Sequence, residues 1–242
     1  MQWVILNPSG NITALVVTDS LPENKQAIAK NILQSDPTIE QVWFLSPENK
    51  TLCMAWGEFC ANAARAATWQ LLAGESWSTS LVVSWYNGTV YGSILDGGMV
   101  CIELGKDFCL SVDATIGLVH LQGISHLVIP MDSIWSAESL KNMAQAYLQQ
   151  FDLLSHPAAG VMFVYKTNTS TSLYPIVWVR DIQTFVFESA CGSGTIAYAL
   201  YNYQLTKLSC VSVLQPSWSA LYVELCNEKI RLCGDVSFVA NI

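Results

Sequence analysis

Two cysteines in this sequence stand at the same kind of junction, each at the expected start of a helix. Cys191 lies in residues 187–195, where a β-rich run is followed by small residues and a helix-like run. Cys60 lies in residues 57–65, in a similar setting. A helix start carries unpaired backbone N–H groups and about half a positive charge. The setting therefore predicts that the pKa of each thiol falls, so that thiolate is accessible near neutral pH.

Two such helix starts facing each other across a cleft would hold one substrate carboxylate through the N–H groups of Ala61, Asn62, Gly192 and Ser193. They would also place a sulfur atom on each face of the adjacent α-carbon. That geometry suits stereoinversion, because one thiolate can remove the α-proton while the opposite thiol delivers another. General acid–base groups of this kind contribute about 10²–10⁴-fold each. Cys60 and Cys191 are therefore the candidate catalytic residues.

Simpler interpretations of these residues stay open. Cys60 and Cys191 could be buried structural cysteines, and Asn62 could act through its backbone N–H alone. Glu58 and Glu188 could be ordinary acids at strand ends. Alternatively, Glu188 could hold the substrate amine, because it lies close to Cys191 in the sequence.

Composition excludes several classes of protein. The chain has 242 residues, of which 52% are hydrophobic and 12% charged, and this favours a folded core over disorder. The net charge of −8 comes without a basic cluster, so a nucleic-acid partner is not predicted. No apolar run reaches the length of a membrane span, and the first three residues lack the basic start of a signal peptide. We expect a soluble cytoplasmic protein with no membrane partner.

The cysteine and histidine counts predict neither a disulfide framework nor a metal site. The eight cysteines include no Cys-x-x-Cys pair, and without a secretion signal they are expected to be reduced. His120, His126 and His156 are scattered, which makes a zinc site improbable, and His126 is expected to be an ordinary loop histidine.

Hydrophobic periodicity and turn residues predict alternating strands and helices. Helices are predicted over residues 22–33, 63–72, 135–146 and 196–205, and strands over 41–45, 52–56 and 183–187. Two short strands are expected in residues 1–17, and residues 81–86 and 89–95 are expected to form a hairpin closed by the two-residue turn Asn87-Gly88.

The two halves of the sequence resemble each other. A shift of 113 residues places Gly10 on Gly123 and the first predicted helix on residues 135–146, and the two cysteines lie 191 − 60 = 131 residues apart. Such internal similarity indicates duplication. We predict an α+β protein of two lobes that meet at a cleft. Residues 1–113 form the lobe that carries Cys60, and residues 114–242 form the lobe that carries Cys191, with the last strand able to return to the first lobe.

Residues 60–65 resemble the Cys-Gly-Asn-Gly-x-Arg element of diaminopimelate epimerases, and residues 190–194 match their second cysteine element almost letter for letter. Gly10-Asn11, Gln215-Pro216 and residues 230–234 resemble further elements of that family. The resemblance implies two pseudo-symmetric lobes, each a mixed barrel-like sheet around a central helix. It also implies catalysis by a thiol pair without pyridoxal phosphate or metal. Asn11 becomes a candidate substrate contact, the alternative being an ordinary turn residue.

Departures from the family pattern bear on the substrate. Diaminopimelate epimerases carry Glu-Arg some residues before the second cysteine, whereas here Glu188 is followed directly by residues 189–191 and the arginine is missing. The family's Gly-Asn-Pro-His turn is replaced by residues 123–126, and its asparagine before the first cysteine has no clear counterpart. Diaminopimelate is therefore disfavoured. The Gly-Glu-Phe-Cys segment that leads to Cys60 is similar to histidine racemases of the opine-metallophore type, which makes histidine the leading substrate.

Other functions stay open at this point. The chain could be a diaminopimelate epimerase, an isomerase of a related non-amino-acid substrate, or a redox or binding protein whose thiol pair forms a reversible disulfide. A cysteine-nucleophile hydrolase ranks last, because no histidine is near either cysteine in the sequence. The expected partner is a small amino acid, and self-association as a homodimer is left open.

Overall fold

The helices of this protein are of two kinds, which differ in how they are buried. The computed structural model describes residues 3–56 and 58–241, so Met1, Gln2, Gly57 and Ile242 lie outside the description. The α-helices in the described part are α1 (Lys25–Ser35), α2 (Ala61–Leu71), α3 (Ala137–Gln150) and α4 (Gly192–Thr206). None of the helices described there is long and apolar enough to cross a membrane.

Helices α1 and α3 each bury one face. In α3 the buried residues Leu140, Ala144 and Leu148 recur every four positions, as in a helix that covers one side of a sheet. Helices α2 and α4 are instead buried on all sides near their N-termini, from Ala61 to Thr68 and from Gly192 to Ala199. Small residues make this possible, because alanine, glycine and serine let strands approach a helix closely from several directions.

The strands form one hydrogen-bonded sheet of 17 members in the described chain. Their bounds are β1 (Trp3–Pro8), β2 (Thr13–Val17), β3 (Gln41–Ser46), β4 (Thr51–Met54), β5 (Ser78–Val83), β6 (Thr89–Ile94), β7 (Val100–Gly105), β8 (Cys109–Asp113), β9 (Leu118–Leu121), β10 (Ile124–Met131), β11 (Ala158–Lys166), β12 (Thr171–Val179), β13 (Thr184–Phe187), β14 (Cys210–Leu214), β15 (Ala220–Leu225), β16 (Lys229–Gly234) and β17 (Val236–Asn241). The α+β class expected from the sequence is confirmed.

The order of elements in the first half of the chain recurs in the second. The series β1-β2-α1-β3-β4-α2-β5-β6-β7 is followed by β9-β10-α3-β11-β12-α4-β14-β15-β16, with β13 added before α4. The parallel pairs also recur, as β2 with β3 and β4 with β5, then β10 with β11 and β12 with β14. Helix α2 contacts β1, β2, β5, β6, β7 and β17, whereas α4 contacts β8 to β11 and β14 to β16.

Three strand pairings connect the two halves of the chain. β8 pairs with β9, so the predicted boundary after residue 113 falls in the turn that joins these two strands. β17 pairs with β1, near the start of the chain. Strands β7 and β16 join the two series directly by antiparallel pairing. The division into residues 1–113 and 114–242 stays a prediction.

Most predicted elements are found, with shifted ends. α2 and α4 begin earlier than the predicted residues 63 and 196, because small residues directly after each cysteine already adopt helical geometry. The predicted two-residue turn Asn87-Gly88 is wrong. β5 ends at Val83 and β6 begins at Thr89, so the loop has five residues. In this loop Trp85 has a φ of 67°, and Asn87 donates its backbone N–H to Gln122 instead of closing a tight turn.

The expectation that all cysteines are reduced is wrong for one pair. Cys101 on β7 and Cys233 on β16 are direct partners in the antiparallel register, and they form a disulfide between Cα atoms 4.1 Å apart. The sequence spacing of 132 residues gave no sign of this pairing, because it depends on how β7 and β16 meet. Cys53, Cys60, Cys109, Cys191, Cys210 and Cys226 are free.

Replacing Cys101 and Cys233 together by serine should lower the free energy of unfolding by about 2–5 kcal/mol, because the crosslink closes a long loop in the unfolded chain. Urea unfolding with and without reductant measures this effect. The double variant should be insensitive to reductant. If reductant leaves the unfolding midpoint of the original protein unchanged, the crosslink does not stabilise the fold.

Candidate functional site

A cavity of about 160 Å³ lies where the N-termini of α2 and α4 meet. A cavity of similar size can hold a benzene molecule, so this one suits a small organic ligand. The lining combines the two helix starts with a largely apolar wall. The lining residues are Leu33, Glu40, Gln41, Met54, Trp56, Glu58, Phe59, Cys60, Asn62, Ile124, Val177, Val179, Ile182, Val186, Glu188, Cys191, Gly192 and Ser193.

The two helix starts touch each other. A Cβ atom placed on Gly192 would lie 2.9 Å from Ala61 Cβ and 2.9 Å from Asn62 Oδ1, so only glycine fits at this position. The Asn62 side chain crosses between the helices and donates from Nδ2 to the carbonyl of Ala190 at 2.8 Å. This hydrogen bond joins Asn62, two residues after Cys60, to Ala190, the residue directly before Cys191.

Arg65 holds the side chain of Asn62 in position. Its guanidinium is fully buried and donates from Nη2 to Asn62 Oδ1 at 2.9 Å. Nη1 donates to Ser9 Oγ and to the carbonyl of Asp235, each at 3.2 Å. Arg65 was expected to pair locally on its helix. It does so with Asn62, and it also connects α2 to two distant parts of the chain.

Cys60 is the N-cap residue of α2. The preceding residue, Phe59, fixes the approach to the helix because its ring is buried and lies 4.5 Å from the ring of Phe108, centroid to centroid. The Cys60 thiol donates to Gln41 Oε1 at 3.0 Å. The cysteine is thus held by the chain on one side and by a side chain of β3 on the other.

Cys191 is the N-cap residue of α4, and its Sγ accepts from the backbone N–H of Gly194 at 3.4 Å. Its own backbone N–H donates to Gln215 Oε1 at 3.0 Å. Ser193 Oγ lies 3.7 Å from the Cys191 sulfur and 2.9 Å from His126 Nε2. This thiol is almost completely buried, with 3% of its surface exposed.

Gln41 connects the two thiols through one carboxyl group. While Gln41 Oε1 accepts from Cys60, Gln41 Nε2 donates to Glu188 Oε1 at 3.0 Å. Trp43 Nε1 donates to the same Gln41 oxygen at 3.3 Å and fixes the orientation of the amide. Glu188 and Cys191 line the same cavity, and Glu188 helps to raise the pKa of that thiol.

The expected fall of the thiol pKa values is wrong, because both values are raised. Burial, together with the negative charge of Glu188, raises the pKa of Cys60 to about 12. Burial and Glu188 also hold the pKa of Cys191 well above its usual value. The N–H groups of Asn62 and Ala63 at Cys60, and of Gly194 at Cys191, do lower these pKa values as predicted. Desolvation is the larger effect at both sites.

The cavity is rich in carboxyl groups. Burial raises the pKa of Glu58 to about 7 and that of Glu188 to about 7, and it also raises the pKa of Glu40. Glu40 accepts from Asn11 Nδ2 at 2.8 Å and from the backbone N–H of Ser189 at 3.2 Å. None of the described lining residues is lysine, arginine or histidine. Among the described residues, no group of three potential ligands is arranged to hold a metal ion.

The structure brings most of the predicted site residues together. Cys60, Cys191, Asn62, Glu188, Gly192 and Ser193 line the cavity. The methyl group of Ala61 instead packs beside Gly192. Asn11 donates a hydrogen bond to Glu40, which itself lines the cavity. The expected loop histidine His126 is on β10, fully buried, and burial lowers its pKa to about 3, so it is neutral.

Gln41, Glu40 and Gln215 were missed as site residues. Gln41 had one signal in the sequence, since a polar residue opens the otherwise apolar strand 42–45. Glu40 had no such signal, because its partner Asn11 is 29 residues away along the chain. Gln215 was noted only as part of a family-like element, and its hydrogen bond to the backbone of Cys191, 24 residues away, was not foreseen.

Comparison with known proteins agrees with this architecture. The histidine racemase of Fusobacterium nucleatum subsp. nucleatum is 30% identical over 260 residues, which cover 99% of this chain and 95% of that protein. The crystal structure of a hydroxyproline epimerase from Agrobacterium vitis superposes with a TM-score of 0.66 at 13% identity, covering 100% of this chain and 91% of that one. A phenazine biosynthesis protein of the PhzF family from Bacillus anthracis gives a TM-score of 0.64 at 12% identity, covering 100% and 98%.

These likenesses define the class of protein. The chain is an isomerase of the racemase and epimerase class, built on the fold that the two solved structures share. The model of the family "Histidine racemase CntK N-terminal domain" matches residues 1–84 and 107–241. The chain belongs to this family.

Replacing Gly192 by alanine should destabilise the protein by about 1–3 kcal/mol, because the new methyl group overlaps Ala61 and Asn62. Thermal unfolding measures the loss. Changing Ala61→Gly in the same chain removes one of the overlapping atoms, so the double variant should lose less than the sum of the two single changes. Strict additivity would contradict the contact between the helix starts.

Replacing Glu58 by glutamine should alter the pH dependence of stability. The carboxyl pKa is higher in the folded protein than its ordinary value of 4.5, so the folded state binds more protons between pH 4.5 and 7. Stability of the original protein is therefore lost as pH rises through this interval. The Glu58→Gln variant should match the original near pH 4.5 and exceed it by up to about 3 kcal/mol at pH 8. Equal unfolding midpoints at pH 8 would contradict the burial of this charge.

Proposed function

We propose that this protein is a cofactor-independent histidine racemase, with Cys60 and Cys191 acting as acid and base on opposite faces of the substrate α-carbon. One observation carries the proposal: both thiols line a single cavity, each as the N-cap residue of one of two helices that meet there. The proposal extends to the two-lobed arrangement implied by the recurring order of elements, with α2 and α4 as the central helices of the lobes.

The substrate carboxylate would bind at the paired helix starts. The first N–H groups of a helix have no carbonyl partner within it, and they carry partial positive charge. In this cavity they compensate for the lack of a cationic side chain among the described lining residues. Asn62, Gly192 and Ser193 stand at this position, and the absence of a side chain on Gly192 keeps the backbone open to approach.

The substrate ammonium would bind beside Glu188. This carboxyl group lies near Cys191 and is tied to Cys60 through Gln41. A positive charge at this point would offset the negative field of Glu188, which is one cause of the raised pKa of both thiols. Binding of the substrate ammonium would thus favour loss of a proton from one thiol, and the thiolate is the reactive form.

Racemisation then exchanges one proton for another. The thiolate on one face takes the α-proton, and the electron pair of the broken C–H bond remains on the α-carbon. The thiol on the other face donates its proton to that carbon, which inverts the configuration. The two cysteines end with their protonation states reversed, so the enzyme must exchange a proton with solvent, or run in the opposite direction, before the next identical turnover.

Histidine is favoured over diaminopimelate by the charges in the cavity. The distal end of diaminopimelate has a carboxylate beside its ammonium, and none of the described lining residues is a cationic side chain that could bind this second carboxylate. The imidazole of histidine is neutral or cationic near neutral pH and can donate an N–H to an acid. The full-length likeness to the F. nucleatum histidine racemase supports the same choice.

The original protein in D₂O with reductant should convert L-histidine to D-histidine and place deuterium at the α-carbon of the product. The single variants Cys60→Ser and Cys191→Ser should each lose racemisation by at least about 100-fold, because one face lacks its proton carrier. Circular dichroism follows the inversion, and NMR follows the exchange.

A matched control for these variants is Cys210→Ser, which changes a free, exposed cysteine outside the cavity and should retain activity. A panel of the other common amino acids tests the assignment of the substrate. If no amino acid exchanges its α-proton under reducing conditions, the proposed function is wrong. Full racemisation by either cavity variant would rule out the two-thiol mechanism.

A further inference from the structure

Three carboxyl groups line the cavity, and one of them lacks a role. Glu40 accepts hydrogen bonds from Asn11 and from the backbone N–H of Ser189. Glu188 accepts a hydrogen bond from Gln41 and raises the pKa of Cys191. Glu58 is 8% exposed, and its Oε2 has no hydrogen-bond partner among the described residues.

An unpartnered buried carboxyl group is costly, because desolvation of a charged or polar oxygen is not repaid without a hydrogen bond. The backbone N–H of Glu58 itself lowers the pKa of this carboxyl group, but its effect is smaller than that of burial. Burial raises its pKa, and the nearby negative charge of Asp181 raises it further. A carboxyl group buried in this way, in a cavity large enough for a ligand, is suited to accept a hydrogen bond from a donor on that ligand.

The surroundings of Glu58 indicate the kind of donor. Glu58 lines the same cavity as Ile182, which lies in the turn between β12 and β13. These strands and their turn supply the apolar wall of the cavity, through Val177, Val179, Ile182 and Val186. A group that fills this part of the cavity therefore needs apolar surface for the wall and a polar N–H for the acid. A flat heteroaromatic ring with a ring N–H has both properties.

We propose that Glu58 determines substrate specificity by accepting a hydrogen bond from a ring N–H of the substrate's imidazole. The inference rests on the proposed racemase function and assigns the recognition of the side chain to a residue outside the thiol pair. Glu188 and the helix starts hold the groups that all amino acids share, whereas Glu58 reads the group that distinguishes histidine. A site built to satisfy a ring N–H discriminates strongly against a ring without one, because the acid then remains unpaired.

The test compares two substrates of similar shape in the full-length protein. L-histidine carries a ring N–H, and L-3-(2-thienyl)alanine has a five-membered aromatic ring without one. Exchange of the α-proton in D₂O gives kcat and KM for each substrate with the original protein, with Glu58→Leu and with Glu58→Gln. Asp181→Asn is the matched control, since it removes a negative charge close to Glu58 from an exposed position that does not line the cavity.

The original protein should prefer histidine strongly. Glu58→Leu should reduce kcat/KM for histidine by about 10- to 100-fold, chiefly through KM, and should improve exchange of thienylalanine. Glu58→Gln retains an acceptor oxygen without the charge, so its preference for histidine should fall by about 10-fold. Asp181→Asn should change the preference by less than about threefold.

Equal effects of Glu58→Leu on both substrates would assign Glu58 a structural role and overturn the inference. If the leucine variant does not fold, an unchanged substrate preference in Glu58→Gln overturns it in the same way. Failure of the original protein to exchange histidine is a different result, because it refutes the proposed function before any variant is compared.

Discussion

The contact between the N-termini of α2 and α4 is the constraint on which the rest of the site depends. Gly192 leaves room for the methyl group of Ala61, and Asn62 spans the junction to the carbonyl of Ala190. Because each helix begins directly after a cysteine, fixing the helix starts against each other also fixes the two thiols. Arg65 links this junction to Ser9 and Asp235, so the site is tied to both ends of the chain.

Burial and helix polarity act in opposite directions at the thiols. The N–H groups of the first helical turns lower the pKa of Cys60 and Cys191, but the enclosed cavity and Glu188 raise these values by more. A low-dielectric cavity strengthens every electrostatic interaction within it, including those of an arriving charge. The enclosure that raises the thiol pKa values therefore also strengthens the effect of any charge placed beside the thiols.

Much of this arrangement could be predicted from the sequence because its determinants are local. A cysteine followed by small residues and a helical run identifies a helix start within about ten residues, and the recurrence of this pattern pointed to both thiols. The disulfide between Cys101 and Cys233 could not be predicted in this way, since it depends on the register of β7 against β16. Gln41 was missed for a similar reason, because its function lies in joining Cys60 to Glu188 across 19 and 147 residues.

The thiol pKa values illustrate a second limit on prediction. A helix start is visible in the sequence, but desolvation depends on how completely distant strands enclose it. The N–H groups of a helix start do lower the pKa of the thiol, as the rule states. The net shift of the thiol pKa is nevertheless upward, because desolvation has the larger effect. The lining combines two kinds of charge: Glu40, Glu58 and Glu188 contribute carboxyl groups, whereas the helix starts contribute the partial positive charge of their N–H groups. The proposed zwitterionic substrate is compatible with both features, because its carboxylate would meet the helix starts and its ammonium would meet the carboxyl groups.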